Sequence, residues 1–257
     1  MQPRYGTWIR TGRLAVFAAL SAVCLAASAL SVVSLWFLLF LIPFALFGYI
    51  ASILGLTVYR LSPRGGDLQR RVHELIVSRA EVPPGSRALD VGCGSGSVVV
   101  KLAKASAGST VTGVDSWGEN WEYSKELCED NARIEGVAAR TAFLKQSGAA
   151  LEFADGSFDA VTSCLTFHEI GDVERKADGV VEALRVLRPG GRFVLLDLFG
   201  DPAFYGSPED VEKAIAGAGA SVGEFRRLDD LLPLPFPMRH PKVLGHAMLI
   251  VGTKPEQ

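Results

Sequence analysis

Arg87-Ala88-Leu89-Asp90-Val91-Gly92-Cys93-Gly94-Ser95-Gly96-Ser97 decides the fold. Ala88, Leu89 and Val91 make a short buried strand. Glycines at alternate positions then force a tight turn, and the apolar residues from Val98 onward open a helix. Strand, glycine turn and helix form the unit with which open α/β sheets present backbone N–H groups and a helix N-terminus to a ligand.

Downstream the alternation repeats. Thr110–Asp115 reads as a second strand ending in a carboxylate, Glu119–Glu135 as a helix closed by Gly136, and Thr141–Leu144 as a third strand. Phe158–Cys164 is a fourth strand, and a helix with its apolar face on Val173, Ala177, Val180, Val181, Leu184 and Leu187 stops at Pro189-Gly190-Gly191. Arg192–Leu198 is apolar nearly throughout, as a central strand covered on both faces requires. Ser207-Pro208-Glu209-Asp210 is a helix start, with Ser as N-cap and Pro in the first turn. Ser221–Asp229 and Leu244–Thr253 then follow as strands with no helix between them. The Pro-rich apolar loop Leu231–Met238 separates them, so they are expected to pair antiparallel at a sheet edge. Before the turn, Asp67–Ala80 is expected to be an amphipathic helix capped by Asp67.

Further upstream, no charged residue occurs from Leu14 to Tyr59. As one helix that run would reach roughly 70 Å, about twice a bilayer core. Two spans folded as a transmembrane hairpin fit better, near Leu14–Val33 and Leu35–Tyr59, with the turn at Ser31–Ser34 and a kink at Pro43. Arg4, Arg10 and Arg13 precede the run and Arg60, Arg64, Arg70 and Arg71 follow it, so both ends and the domain downstream are expected on the cytoplasmic side. A signal peptide cut near Ala27-Ser28-Ala29 is disfavoured by the second apolar run, and a re-entrant hairpin is the remaining alternative. The expected organisation is a membrane anchor over residues 1–61 and an α/β domain over 62–257.

The net charge of -2 over 257 residues argues against nucleic acid as a bulk electrostatic partner. The mean hydropathy of +0.25 reflects the upstream run. Cys24, Cys93, Cys128 and Cys164 form no CxxC pair and read as free thiols, while His73, His240 and His246 show no clustering, so no metal is expected. A P-loop is excluded because Ser97-Val98 follows Gly96, and the Gly92-x-Gly94-x-Gly96 spacing departs from the GxGxxG of nicotinamide and flavin sites. Asp90 beside the turn suits a ligand carrying an ammonium group. Asp115 stands where a carboxylate can accept both ribose hydroxyls.

Ala88–Gly96, Val114-Asp115, Phe153–Asp159 and Leu184–Gly191 together resemble class I S-adenosylmethionine-dependent methyltransferases, over roughly residues 68–254. The resemblance implies a Rossmann-like seven-stranded, mostly parallel sheet with an antiparallel edge strand. It implies S-adenosyl-L-methionine as cofactor, its methionine end on Asp90 and the turn Gly92, Cys93, Gly94 and Gly96, its ribose on Asp115, and its adenine against Ser116 or Trp117. Ser147, Gly148 and Cys164 complete the implied cofactor pocket. Ser147 stands where family members often carry an Asp that contacts adenine, so charge assistance is missing at that position. Methyl transfer is an in-line displacement that needs a base only when the acceptor arrives protonated. His168 and Glu169, just after the fourth strand, are the candidate catalytic residues. The expected function is a membrane-anchored methyltransferase acting on a small-molecule or lipid-like acceptor. The alternative is a catalytically silent, membrane-tethered cofactor-binding or scaffold protein.

Overall fold

A computed structural model describes residues 2–118 and 121–256. They divide into two compact units, one of residues 7–69 and one of residues 2–6 with 70–256.

The smaller unit is the apolar hairpin. α1 (Thr11–Ser28) runs into a 3-10 turn, Ala29–Val32, and a second 3-10 segment, Leu35–Phe40, leads into α2 (Leu41–Leu61). Both helices are long and apolar enough to cross a membrane. Small residues let them approach: the Ser21 hydroxyl donates to the Phe44 carbonyl at 3.1 Å, and a Cβ on Gly48 would stand 3.1 Å from Ser21 Oγ. Phe17 and Phe47 meet with ring centroids 6.1 Å apart. Pro43, where the sequence reading placed a kink in the second span, stands just after the change from 3-10 to α-helix. It lies in the first turn of α2, where its missing N–H breaks no bond within the helix. Val32, Leu35 and Trp36 are 90%, 77% and 78% exposed, an apolar surface that water alone does not accommodate well.

In the larger unit, α3 (Leu68–Ala80) precedes β1 (Arg87–Val91), α4 (Ser97–Ala105), β2 (Thr110–Asp115), α5 (Lys125–Ile134), β3 (Thr141–Lys145), β4 (Phe158–Cys164) and α6 (Lys176–Arg185). β5 (Leu187–Asp197), the short α7 (Pro202–Tyr205), α8 (Pro208–Gly217), β6 (Ser221–Arg227), the one-turn α9 (Leu228–Leu231), where no helix was expected, and β7 (Met248–Thr253) complete it. The sheet order is β3-β2-β1-β4-β5-β7-β6, with β7 antiparallel to both neighbours and the other pairs parallel. The expected pairing of the last two strands is present, but the antiparallel strand is not at the edge. β7 is inserted between β5 and β6, because its Leu249, Ile250 and Val251 need cover on both faces while β6 is half exposed and carries Glu224, Arg226 and Arg227. Phe158, Leu184, Phe193, Leu195 and Phe199 are fully buried in the core between sheet and helices.

α5 starts later than the expected Glu119. Ser124 caps it, its hydroxyl accepting from Leu127 N at 3.2 Å, while Glu119 and Asn120 lie outside the described residues. Ser207 and Asp210 form the capping box of α8, as its sequence foretells.

Candidate functional site

The carboxyl ends of β1, β2, β4 and β5 bring Asp90, Asp115, Cys164 and Asp197 to one edge of the sheet. Each ends, or nearly ends, an apolar strand. Such ends are where open α/β sheets bind ligands.

Asp90 pairs in register with Gly113 on one side and Thr162 on the other, and is 2% exposed. The Thr162 hydroxyl donates to its Oδ1 at 2.8 Å, while Oδ2 accepts no hydrogen bond among the described residues. Burial pushes its carboxyl up to about 7; the Thr162 bond works against this rise and the charge of Asp115 adds to it. A buried carboxylate with an unused oxygen is the polar cradle that an ammonium-bearing ligand would complete.

The glycine turn works differently from the expectation of free N–H groups. Gly92 and Cys93 N–H donate to Val114 O at 2.8 and 3.0 Å, Gly94 N–H to Asp115 Oδ2 at 2.8 Å, and Gly96 N–H to Cys93 O at 2.8 Å. What the turn offers is shape. A Cβ on Gly92 (φ +72°) would stand 2.0 Å from Thr166 Oγ1, and one on Gly96 (φ +78°) would stand 3.1 Å from the Phe143 ring. Cys93 is buried and faces Gly113 of β2, so its side chain supports the turn from beneath.

Asp115 braces this turn, since its Oδ1 also accepts from Trp117 N–H at 2.8 Å. Trp117, held at φ +40°, returns its indole N–H to Gly94 O at 2.9 Å, so the ring lies across the turn. Ser116 beside it is exposed. Trp121 and Tyr123 stack at 5.7 Å with 3° between their planes, and the Tyr123 ring is 3.5 Å from where a Cβ of Gly94 would be.

Ser147 donates to Asp172 Oδ2 at 2.8 Å and accepts from Ala149 N–H at 3.1 Å. The partner of Ser147 is thus Asp172, a carboxylate the sequence reading missed because nothing local links positions twenty-five apart. Gly148 packs tightly; a Cβ there would stand 3.0 Å from Ile170 and 3.1 Å from Val91. Burial, with the charges of Asp90 and Asp197, holds the Cys164 thiol well above its ordinary range, so it is neutral.

The candidate base is organised by another missed residue. Asp197, fully buried at the end of β5, accepts from the backbone N–H groups of Thr166 (3.1 Å), Phe167 (2.7 Å) and Leu198 (2.6 Å). Its Oδ1 is 2.5 Å from His168 Nδ1. The His168 side chain is 14% exposed and its ring lies 5.5 Å from that of Phe204. Burial alone would lower the imidazole, but the charge and hydrogen bond of Asp197, with Glu169, raise it above its ordinary value. In the neutral ring Nδ1–H faces Asp197 and Nε2 carries the lone pair. Glu169 is exposed, 3.8 Å from Nε2, and so is less constrained than its neighbour. Leu165, at φ +55°, turns the chain from β4 into this segment, strain of the kind that collects at functional sites. The signal for Asp197 was present in the sequence: a carboxylate closing an apolar central strand, as Asp90 does.

One part of the site comes from far upstream. Asn131 of α5, 1% exposed, donates to Arg4 O at 2.9 Å and Ser95 O at 3.0 Å and accepts from Arg4 N–H at 2.7 Å. The Ser95 hydroxyl donates to Tyr5 O at 2.6 Å, and Tyr5 OH donates to Glu135 at 3.1 Å. Residues 4–6 are therefore pinned against the glycine turn, with Gly6 against the Tyr123 ring.

Residues 89–195 match the methyltransferase domain family. This part of the chain is similar to methyltransferase domains. The ubiquinone/menaquinone biosynthesis C-methyltransferase UbiE of Geotalea daltonii is 31% identical over 138 residues, covering 53% of this chain and 55% of that protein. Demethylmenaquinone methyltransferase of Thermus thermophilus is 35% identical over 138 residues, covering 54% of this chain and 58% of its own. The chain spans a little over half the length of these relatives. Among solved structures, geranyl diphosphate methyltransferase in complex with SAM superposes with a TM-score of 0.57 at 18% identity, covering 76% of this chain and 89% of that one, a likeness of fold. That neighbour's structure holds SAM.

Proposed function

We propose that the chain is a membrane-anchored methyltransferase whose acceptor is a small or lipid-like molecule carrying a protonated nucleophile. The observation that carries the reading is the 2.5 Å pairing of His168 with the buried Asp197 at the edge that also carries Asp90 and the glycine turn. S-adenosylmethionine, when bound, supplies an electrophilic methyl group on a sulfonium. Asp90 holds the ammonium of its methionine end, and the turn of Gly92, Cys93, Gly94 and Gly96 carries its chain. Asp115 receives the ribose through lone pairs that Gly94 and Trp117 leave unused. Ser116 and Trp117 line the adenine, Ser147 with Asp172 recognises its amino group, and Gly148 and Cys164 close the wall.

His168 Nε2 takes the acceptor proton, and Asp197 keeps the ring in the required tautomer and stabilises the imidazolium that forms. Glu169 tunes that charge from the solvent side. Attachment through α1 and α2 suits an apolar acceptor, and the relatives named for ubiquinone, menaquinone and demethylmenaquinone chemistry support a quinone-like one.

The test is incubation of the full chain with methyl-labelled cofactor and a total membrane extract, alongside calorimetric titration of the cofactor. Label in the organic-soluble fraction, lost in His168→Asn, is the expected result. Cofactor binding without transfer to any fraction would favour a silent binding protein, and absence of cofactor binding would overturn both readings.

A further inference from the structure

Between the first turns of α3 and the loop joining β6 to β7 lies a cleft of about 610 Å³, lined by Arg71, Pro233, Leu234, Pro235, Phe236 and Arg239. The methyl-transfer machinery above leaves it unused. The loop is built rather than loose: Leu234 and Met238 are buried, Met238 N–H donates to Pro235 O at 2.7 Å, and Leu244 N–H donates to Met238 O at 3.0 Å. Yet Phe236, on the same loop, is 64% exposed. Its ring is held at the mouth of the cleft without being used in the core.

Neither guanidinium has an ion-pair or hydrogen-bond partner among the described residues. Asp229, whose carboxyl feels the charge of Arg239, is hydrogen bonded by Arg227 at 2.9 Å. Two arginines beside an apolar wall match a phosphate or carboxylate joined to a hydrocarbon, because the planar fork binds such oxygens in pairs and is more weakly hydrated than an ammonium.

The cleft also faces the working edge of the sheet. β6 and β5 are both antiparallel to β7, so β6 ends at the edge where β5 places Asp197. The far end of the loop is tied there too, with Gly200 N–H donating to His246 O at 3.0 Å. The first half of α3 reaches the same edge, since His73 Nδ1 is 2.9 Å from the hydroxyl of Ser97, the first residue of α4.

We infer that this cleft binds the anionic head of an amphiphile, a phosphate monoester or carboxylate, on Arg71 and Arg239, with the adjoining hydrocarbon against Pro233, Pro235 and Phe236. That this amphiphile is the methyl acceptor rests on the function proposed above; the binding itself does not.

The experiment titrates hexyl phosphate into the full chain in neutral-detergent micelles by calorimetry, with inorganic phosphate and hexanol as the two halves of the probe. Hexyl phosphate is expected to bind at one site, at least tenfold more tightly than either half. The double variant Arg71→Gln/Arg239→Gln is expected to weaken it at least tenfold, and Phe236→Ala to bring it towards inorganic phosphate. Equal affinity in the double variant, or hexyl phosphate no tighter than inorganic phosphate, overturns the inference. S-adenosylmethionine titrated into the same preparations keeps the two readings apart. Cofactor affinity unchanged in the double variant shows an intact domain, whereas no cofactor binding by the unaltered chain removes the methyltransferase reading and leaves the cleft result standing. Phosphatidylglycerol added to the micelles separates the sources of the head group. Competition with hexyl phosphate assigns the cleft to a bilayer lipid and overturns the acceptor assignment, and no competition supports it.

Discussion

At the scale of single residues, the proposed site holds two buried carboxylates in different surroundings. Asp197 spends its oxygens on backbone N–H groups and on His168 and thereby acts through that ring. His168→Asn is expected to lower methyl transfer by about 10²- to 10⁴-fold with cofactor affinity preserved, measured by turnover and titration on one preparation. Because Asp197 raises the imidazole, kcat/KM should climb through a midpoint above 6.5, and Asp197→Asn should move that midpoint down as well as reduce the rate. A merely structural aspartate would change the rate without moving the midpoint. Asp90, by contrast, has an oxygen to offer a ligand. Burial pushes its carboxyl up to about 7, and a cationic ligand needs it ionised. Cofactor affinity is therefore expected to fall by about tenfold for each pH unit below 7, and Asp90→Asn to bind weakly at every pH, as read by calorimetry.

At the scale of elements, the connections decide more than the strands and helices do. α5 carries Asn131 inward to hold residues 4–5 against Ser95, three hydrogen bonds on a side chain that has no access to water. Removing it leaves buried backbone groups unpaired, at about 1–3 kcal/mol. Asn131→Ala should lower the chemical denaturation midpoint by a corresponding amount and open the bond after Arg4 to trypsin, with cleavage followed by mass spectrometry. If the segment were only resting on the surface, both readings would stay unchanged. The loop between β6 and β7 follows the same rule, its apolar residues partly spent on the core and partly kept at a cleft.

At the scale of the whole molecule, charge buried in the larger unit couples stability to pH. His73 is buried against Ser97, and burial first, then the charge of Lys101, lower its imidazole to about 3. The unfolded chain takes up a proton below about 6.5 that the folded chain refuses. His73 therefore costs no stability above that pH and progressively more as pH falls towards 3, by up to about 1.4 kcal/mol per unit. Asp90 has the opposite sign, since its raised carboxyl adds stability as pH falls from 7. The stability difference between the unaltered chain and His73→Asn, followed by urea denaturation from pH 7 to pH 4, should shrink or reverse with acidification. A constant difference would show that His73 is charged in the fold.

Much of this was legible in the chain itself. The uncharged run from Leu14 to Tyr59, the glycine turn after an apolar strand, and the cap of α8 are written in local periodicity, because burial of one face imposes a period of two or near 3.6 on neighbouring residues. Three glycines with Asp90 and Asp115 pointed to the cofactor for the same reason: the residues that shape a turn stand next to one another. What tertiary structure alone decided are the pairings between distant positions. β7 lies inside the sheet because its apolar residues need two covered faces. Asp197 meets His168, Asp172 pairs with Ser147, and Asn131 holds Arg4, because strand order and register bring chain ends together over separations that leave no local pattern. The glycine turn was read as presenting backbone N–H groups to a ligand, but those of Gly92, Cys93, Gly94 and Gly96 are bonded within the fold, and the missing side chains of Gly92 and Gly96 let Thr166 and Phe143 pack against the turn.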